Sequence, residues 1–230
     1  MPSVTAPRLT TTTWLLLALL GLIWGGSFFF GRVAVAHVPP VTLAFLRLSI
    51  AALALHLYLR GRFGLYPALA RRWPAFLVLG LFNNAIPHTL ILFGQTEIGA
   101  GLAAILNATT PIWTVLIANR LTADEKLSPA KLVGTLLGLA GTAVLIGPSA
   151  FQASHIPLWA VLLPIGAAMS YGFAATYGKR FRDLPAPVTA AGQLTASSLM
   201  MLPTALLVDH PWQIPFPPVS AVAAILALAL

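Results

Sequence analysis

Two adjacent amides, Asn83-Asn84, interrupt one long apolar stretch of this chain, and a third amide, Asn107, interrupts the next. An amide side chain offers two donors and one acceptor group. Inside hydrocarbon such a group is costly unless it faces protein or a water-filled space. The chemistry open to these residues is reversible polar binding of an amino acid or similar ligand; interhelical hydrogen bonding is the structural alternative. His88 follows Asn84 at a spacing of four residues and is the one group in that stretch that titrates near neutral pH. It suits proton coupling, or a histidine satisfied by its neighbours. Trp24, with Ser27 one turn on, and Tyr171 are aromatic-wall candidates for stacking or cation–π contact, or packing residues. Arg47 is a full charge inside an apolar stretch. It requires an anionic ligand, a backbone carbonyl, an outer polar group or a snorkelling path.

Bond-breaking chemistry finds no such support. The acids lie in the gaps between apolar stretches, and the histidines at 37, 56, 88, 155 and 210 lack metal-ligand spacing. There is no cysteine, so neither a disulfide nor a thiolate site exists. The residues imply no enzyme, no metal and no cofactor.

The elements that must position these groups are set by composition: 58% of residues are hydrophobic and 8% charged. No water-soluble fold of this length hides that much apolar surface, so the solvent is lipid. A bilayer core of roughly 30 Å takes roughly 20 apolar residues per helix. Runs of that kind fall at 14–36, 40–59, 73–94, 98–119, 129–147, 157–178 and 187–208, and another begins near 218. Trp24, Asn83, Asn84 and Asn107 each sit nine to eleven residues into their run. At ~1.5 Å per residue that is ~14–17 Å deep, the bilayer midplane.

Of the 13 Lys and Arg residues, all but Arg32 and Arg47 fall in the amino-terminal tail or in or at the edge of every second gap. The positive-inside rule then places the amino terminus in the cytoplasm. This parity also accounts for the net charge of +8. Nucleic-acid binding would need the charges gathered on one face of a soluble domain; here they face anionic headgroups. The first run is too long and too interrupted for a cleaved signal peptide, so it reads as a retained helix.

Shifting the chain on itself by 147 positions aligns Trp24-Gly25 with Tyr171-Gly172, Gly31-Arg32 with Gly178-Lys179, and Pro40-Val41-Thr42 with Pro187-Val188-Thr189. The shift carries run one onto run six. The repeating unit is therefore five helices, and an odd number inverts the second copy, an architecture used by secondary transporters. The expected units are a first repeat over 1–148 and an incomplete inverted repeat over 149–230. The last thirteen residues, 218–230, are too short for a full span, so the sequence is expected to be a fragment of a ten-helix protein.

Ile23-Trp24-Gly25-Gly26-Ser27, Pro40 with Leu46-Arg47-Leu48, the segment Asn107-Ala108-Thr109-Thr110-Pro111, Asp124-Glu125-Lys126-Leu127-Ser128 and the glycines 134, 138 and 141 occur in that order. As an ordered set they resemble the EamA-like carriers of the drug/metabolite transporter superfamily. The resemblance implies an all-α inner-membrane carrier of ten helices in two inverted halves, both termini inside. It implies a central substrate cavity and export of small metabolites, such as amino acids, or drugs by alternating access, in a bacterial cytoplasmic membrane. A non-transporting scaffold or receptor, or an inactive fragment, is the alternative reading. The expected partners are a small-molecule substrate and the lipid bilayer, and Gly21-(x)3-Gly25 and Gly134-(x)3-Gly138 permit close helix approach within the chain or across a homodimer. Gly25, Gly26 and Pro111 flank the midplane where bending would support gating, and Pro87 is placed to kink helix three beside His88.

Overall fold

The computed structural model describes residues 10–122, 129–146 and 156–230, and every regular element among them is helical. The helices are α1 (Thr11–Val35), α2 (Pro40–Leu59), α3 (Leu65–Gly80), α4 (Ile86–Gly94), α5 (Ala100–Asn107), α6 (Thr110–Leu121), α7 (Pro129–Ile146), α8 (Leu158–Tyr177), α9 (Ala186–Val208) and α10 (Val219–Ala229). Six segments of the described chain are long and apolar enough to cross a membrane: Thr11–Val35, Pro40–Leu59, Arg62–Gly94, Ala100–Leu121, Leu158–Phe181 and Ala186–Val208. Each coincides with a predicted run. The predicted fifth run is the 18-residue α7, and the partial eighth is the shorter apolar α10.

Local sequence explains where these helices begin. The Thr10 side chain accepts a hydrogen bond from the Thr13 N–H and caps α1. Proline opens α2 and sits in the first turn of α9, where its missing N–H leaves no bond unmade. The repeat offset maps Thr11 onto Leu158 and Pro40 onto Pro187, the first residue of α8 and the second of α9. Arg72, where α3 departs from helical angles (φ −119°), maps onto Val219, the start of α10.

Two of the membrane-crossing segments are broken in mid-course, and in both a proline lies four residues after an asparagine. Pro87 has no N–H for the Asn83 carbonyl, and its ring would press on that carbonyl in a regular helix. The chain widens instead into a π-turn over Leu81–Ala85, with the Ile86 N–H bonded to the Leu81 carbonyl five residues back. Pro111 stands in the same relation to Asn107, and here the chain steps from α5 into α6. The Thr110 hydroxyl takes over the Asn107 carbonyl at 2.6 Å.

Helix α9 packs along α2 and α3, α8 packs along α4, α5 and α6, and α10 packs along α1 and α2. Leu43, Leu48, Leu92, Met201 and Ile225 form the largest buried cluster. A second cluster, centred on Phe76 and Phe181 with ring centroids 4.8 Å apart, joins α3 to the turn that follows α8. Close backbone approach occurs at Gly80, where a Cβ would lie 2.7 Å from the Gln193 carbonyl, and at Gly172, where it would lie 2.8 Å from the Thr114 nitrogen. The sequence pointed to other glycines. Nothing among the described residues lies within 4 Å of a Cβ built at Gly25, Gly134 or Gly138, and Gly26 meets only the Phe30 ring.

Candidate functional site

The π-turn determines what the two neighbouring amides do. Asn83 Nδ2 donates to Gln193 Oε1 of α9 at 2.8 Å. Asn84 is 5% exposed, and its Nδ2 has no hydrogen-bond partner among the described residues. Adjacent helices satisfy the backbone around the widened turn: Ser170 Oγ of α8 donates to the Phe82 carbonyl at 2.6 Å, and Ser197 Oγ of α9 donates to the Gly80 carbonyl at 3.2 Å. Those two bonds secure the break from both sides, as a non-helical segment at membrane depth requires.

One turn beyond Asn84, His88 lies edge-on to Tyr171 of α8 with ring centroids 6.4 Å apart. Its Nδ1 is buried without a partner among the described residues. Arg47 of α2 lies within electrostatic reach of both rings. The structure thus brings Arg47, His88 and Tyr171 together from α2, α4 and α8, with Asn84 one turn before His88.

The remaining sequence candidates are not part of this group. Asn83 is committed to Gln193 and serves as an interhelical link. Trp24 is 67% exposed, on the stretch of α1 whose residues 14–25 are all exposed, so it does not wall a cluster with Tyr171. The reason is that α1 is buried only near its end, at Gly31, Ala34 and Val35. Ser27 Oγ donates to the Ile23 carbonyl of its own helix at 3.0 Å. Asn107 lies at the α5–α6 break, and its Oδ1 is buried without a partner among the described residues. Pro87 is fully buried behind the π-turn, and Pro111 opens α6.

Sequence reasoning missed Gln193, Ser170 and Ser197. Gln193 was discoverable as the lone amide in the seventh run. The serines were not, because a hydroxyl that bonds to a foreign carbonyl looks like any helical serine. Also missed was the tie between α1 and the end of α4: Arg32 Nη1 donates to the Gln95 carbonyl at 2.7 Å, and Gln95 Nε2 donates to the Phe28 carbonyl at 2.7 Å. At the opposite end Arg72 Nη1 donates to Asp183 Oδ1 at 2.8 Å, completing a two-pronged ion pair with Nη2 on Oδ2. That hydrogen bond holds the exposed Asp183 carboxyl below its usual range.

Comparison with known proteins bears on what this arrangement belongs to. Residues 12–147 match the EamA-like transporter family. Relatives include the uncharacterized transporter YvbV of Bacillus subtilis, 31% identical over 84% of this chain and 62% of its own length. The uncharacterized inner membrane transporter YedA of Escherichia coli is 28% identical over 80% of this chain and 58% of its own length. The chain therefore spans about six-tenths of these relatives. A solved crystal structure superposes with a TM-score of 0.59 over 90% of this chain and 72% of its own, at 24% identity, a likeness of fold. Apolar helices with polar breaks at mid-depth, and a family match across the whole segment α1–α7, lead to one conclusion: the chain is a multi-pass membrane protein and belongs to the EamA-like transporter family, within the drug/metabolite transporter superfamily.

Proposed function

We propose that this chain forms the substrate-handling part of a secondary carrier that exports small polar metabolites, such as amino acids, by alternating access. The observation that carries the reading is the pair of buried, unpartnered polar atoms on α4 and the preceding π-turn, Asn84 Nδ2 and His88 Nδ1. Each such atom in hydrocarbon is costly. A ligand that bonds them in passing removes that cost, and a break in the helix at the same depth provides a place to bend. The proposed site lies between α2, α4 and α8, with the π-turn at its inner edge.

The register of helix starts supports two inverted halves, over 1–148 and 149–230. So does the pairing of helices. Under the repeat offset α1 corresponds to α8 and α10 to residues 72–82, the second half of α3 and the start of the π-turn; α1 packs on α10, α8 packs on the π-turn, and α2 packs on its own counterpart α9. Pairing of this kind is what rotation about an axis in the membrane plane produces. Loop charge parity supports a cytoplasmic amino terminus in a bacterial inner membrane.

Uptake of radiolabelled amino acids and related metabolites into inverted membrane vesicles tests the reading. Saturable uptake that depends on this protein, exceeding uptake in right-side-out vesicles, is expected. Membranes with the protein inserted but no saturable flux in either orientation would contradict carrier function.

A further inference from the structure

We infer that the proposed site takes a ligand bearing a single carboxylate and that Arg47 is the group that binds it; the inference rests on the carrier reading above. Arg47 is half-buried two turns into α2. Among the described residues its guanidinium makes no hydrogen bond and no ion pair; the ion pair that is present joins Arg72 and Asp183. The sequence offers it no acid at membrane depth. The five acidic residues are Glu97, Asp124, Glu125, Asp183 and Asp209, and none lies in a membrane-crossing segment. Asp209, beyond the end of α9, accepts from the Thr42 N–H at 2.6 Å.

The neighbours of Arg47 deepen the imbalance. His88 and Tyr171 carry no negative charge at neutral pH, and Asn84, one turn before His88, holds an Nδ2 donor without a partner among the described residues. Donors are left over and the missing component is an anionic acceptor. An uncompensated cation at this depth is expensive, and a carboxylate matches the guanidinium fork with two parallel bonds. One carboxylate is indicated rather than a more highly charged anion because, among the described residues, no second cation joins the cluster. Arg32, the other Lys or Arg well inside an apolar run, is tied to the Gln95 carbonyl. Ligand and Arg47 together are electrically neutral, which lowers the cost of carrying the ligand through a low-dielectric region.

The test measures binding and flux separately, on the full chain. Purified protein is titrated with phenylacetate and with phenylacetamide while its thermal midpoint is followed. Phenylacetate is expected to raise the midpoint and phenylacetamide to leave it unchanged. Arg47→Gln should weaken the phenylacetate response by about tenfold or more, and Arg47→Lys, which keeps the charge, should retain part of it. Equal responses to acid and amide in the wild-type protein overturn the assignment even if Arg47→Gln does not fold. So does an unchanged phenylacetate response in folded Arg47→Gln. Counterflow of labelled compounds in proteoliposomes separates the two layers: flux of amines or amides but not acids overturns carboxylate binding and leaves the carrier intact. Acid binding without any flux supports the assignment and counts against transport.

Discussion

Asn83 and Asn84 share a residue type and a depth but not a role. The first is hydrogen-bonded across to Gln193 and the second is buried with a free Nδ2. Bonds of the first kind between membrane helices contribute about 0.6 kcal/mol, seldom above about 1.7. A double-mutant cycle of Asn83→Leu and Gln193→Leu, read as unfolding free energy in detergent, should therefore show a coupling of ~0.5–1.5 kcal/mol. A coupling of zero would remove Asn83 from its assigned role. The depths of the amides were legible from counting along the runs. Their division of labour was not, because it depends on the direction of two successive side chains inside a turn that the sequence shows only as a nearby proline. Trp24 illustrates the same limit: depth along a helix says nothing about which side of the bundle the side chain faces.

At the scale of elements, the runs of apolar residues located the crossing helices closely, since lipid allows little else. Where helices touch was harder to read. Gly80 and Gly172 lie at close contacts, whereas nothing among the described residues comes within 4 Å of a Cβ built at the better-spaced Gly134. A GxxxG spacing is only permissive, and the facing surface decides. The Asn-(x)3-Pro spacing shared by the two broken segments is a local cause with a testable effect. Pro87→Ala restores an N–H to the Asn83 carbonyl and should let the π-turn tighten to regular helix. Losing one residue from the turn rotates Asn84 by ~100° relative to His88. The variant should fold at least as stably as wild type while transport falls by about tenfold, or ~1.4 kcal/mol. Unaltered transport would separate the π-turn from function.

The Arg72–Asp183 pair is also an element-scale device, joining the start of the α3 segment to the link before α9. Because the folded-state pKa of Asp183 is depressed, its contribution to stability is present above the ordinary value of 3.8 and is lost as pH falls through the lower folded value. Asp183→Asn should thus lower the thermal midpoint at neutral pH. The gap from wild type should close as pH drops below about 4. A gap that stays constant into acid would show that the pair is not the cause.

For the whole molecule, the proposed repeat rests on an ungapped offset that keeps prolines, glycines and a charge in register, and the starts of α8 and α9 fall in that register. The ties at the two ends, Arg32 on the Gln95 carbonyl and Arg72 on Asp183, were not legible, since each partner is distant in sequence. Between those ends the account has one central claim: the region around Asn84 opens to water rather than to lipid. The absence of cysteine makes this directly measurable, because any introduced thiol is unique. Asn84→Cys and Leu53→Cys, the latter at an outward α2 position 60% exposed, are to be placed in membranes and treated with a membrane-impermeant, charged thiol reagent. The account predicts modification of Asn84→Cys, slowed by phenylacetate or another bound ligand, and none of Leu53→Cys. An Asn84→Cys thiol inert to the reagent from both sides of the membrane, yet reactive after denaturation, would contradict it.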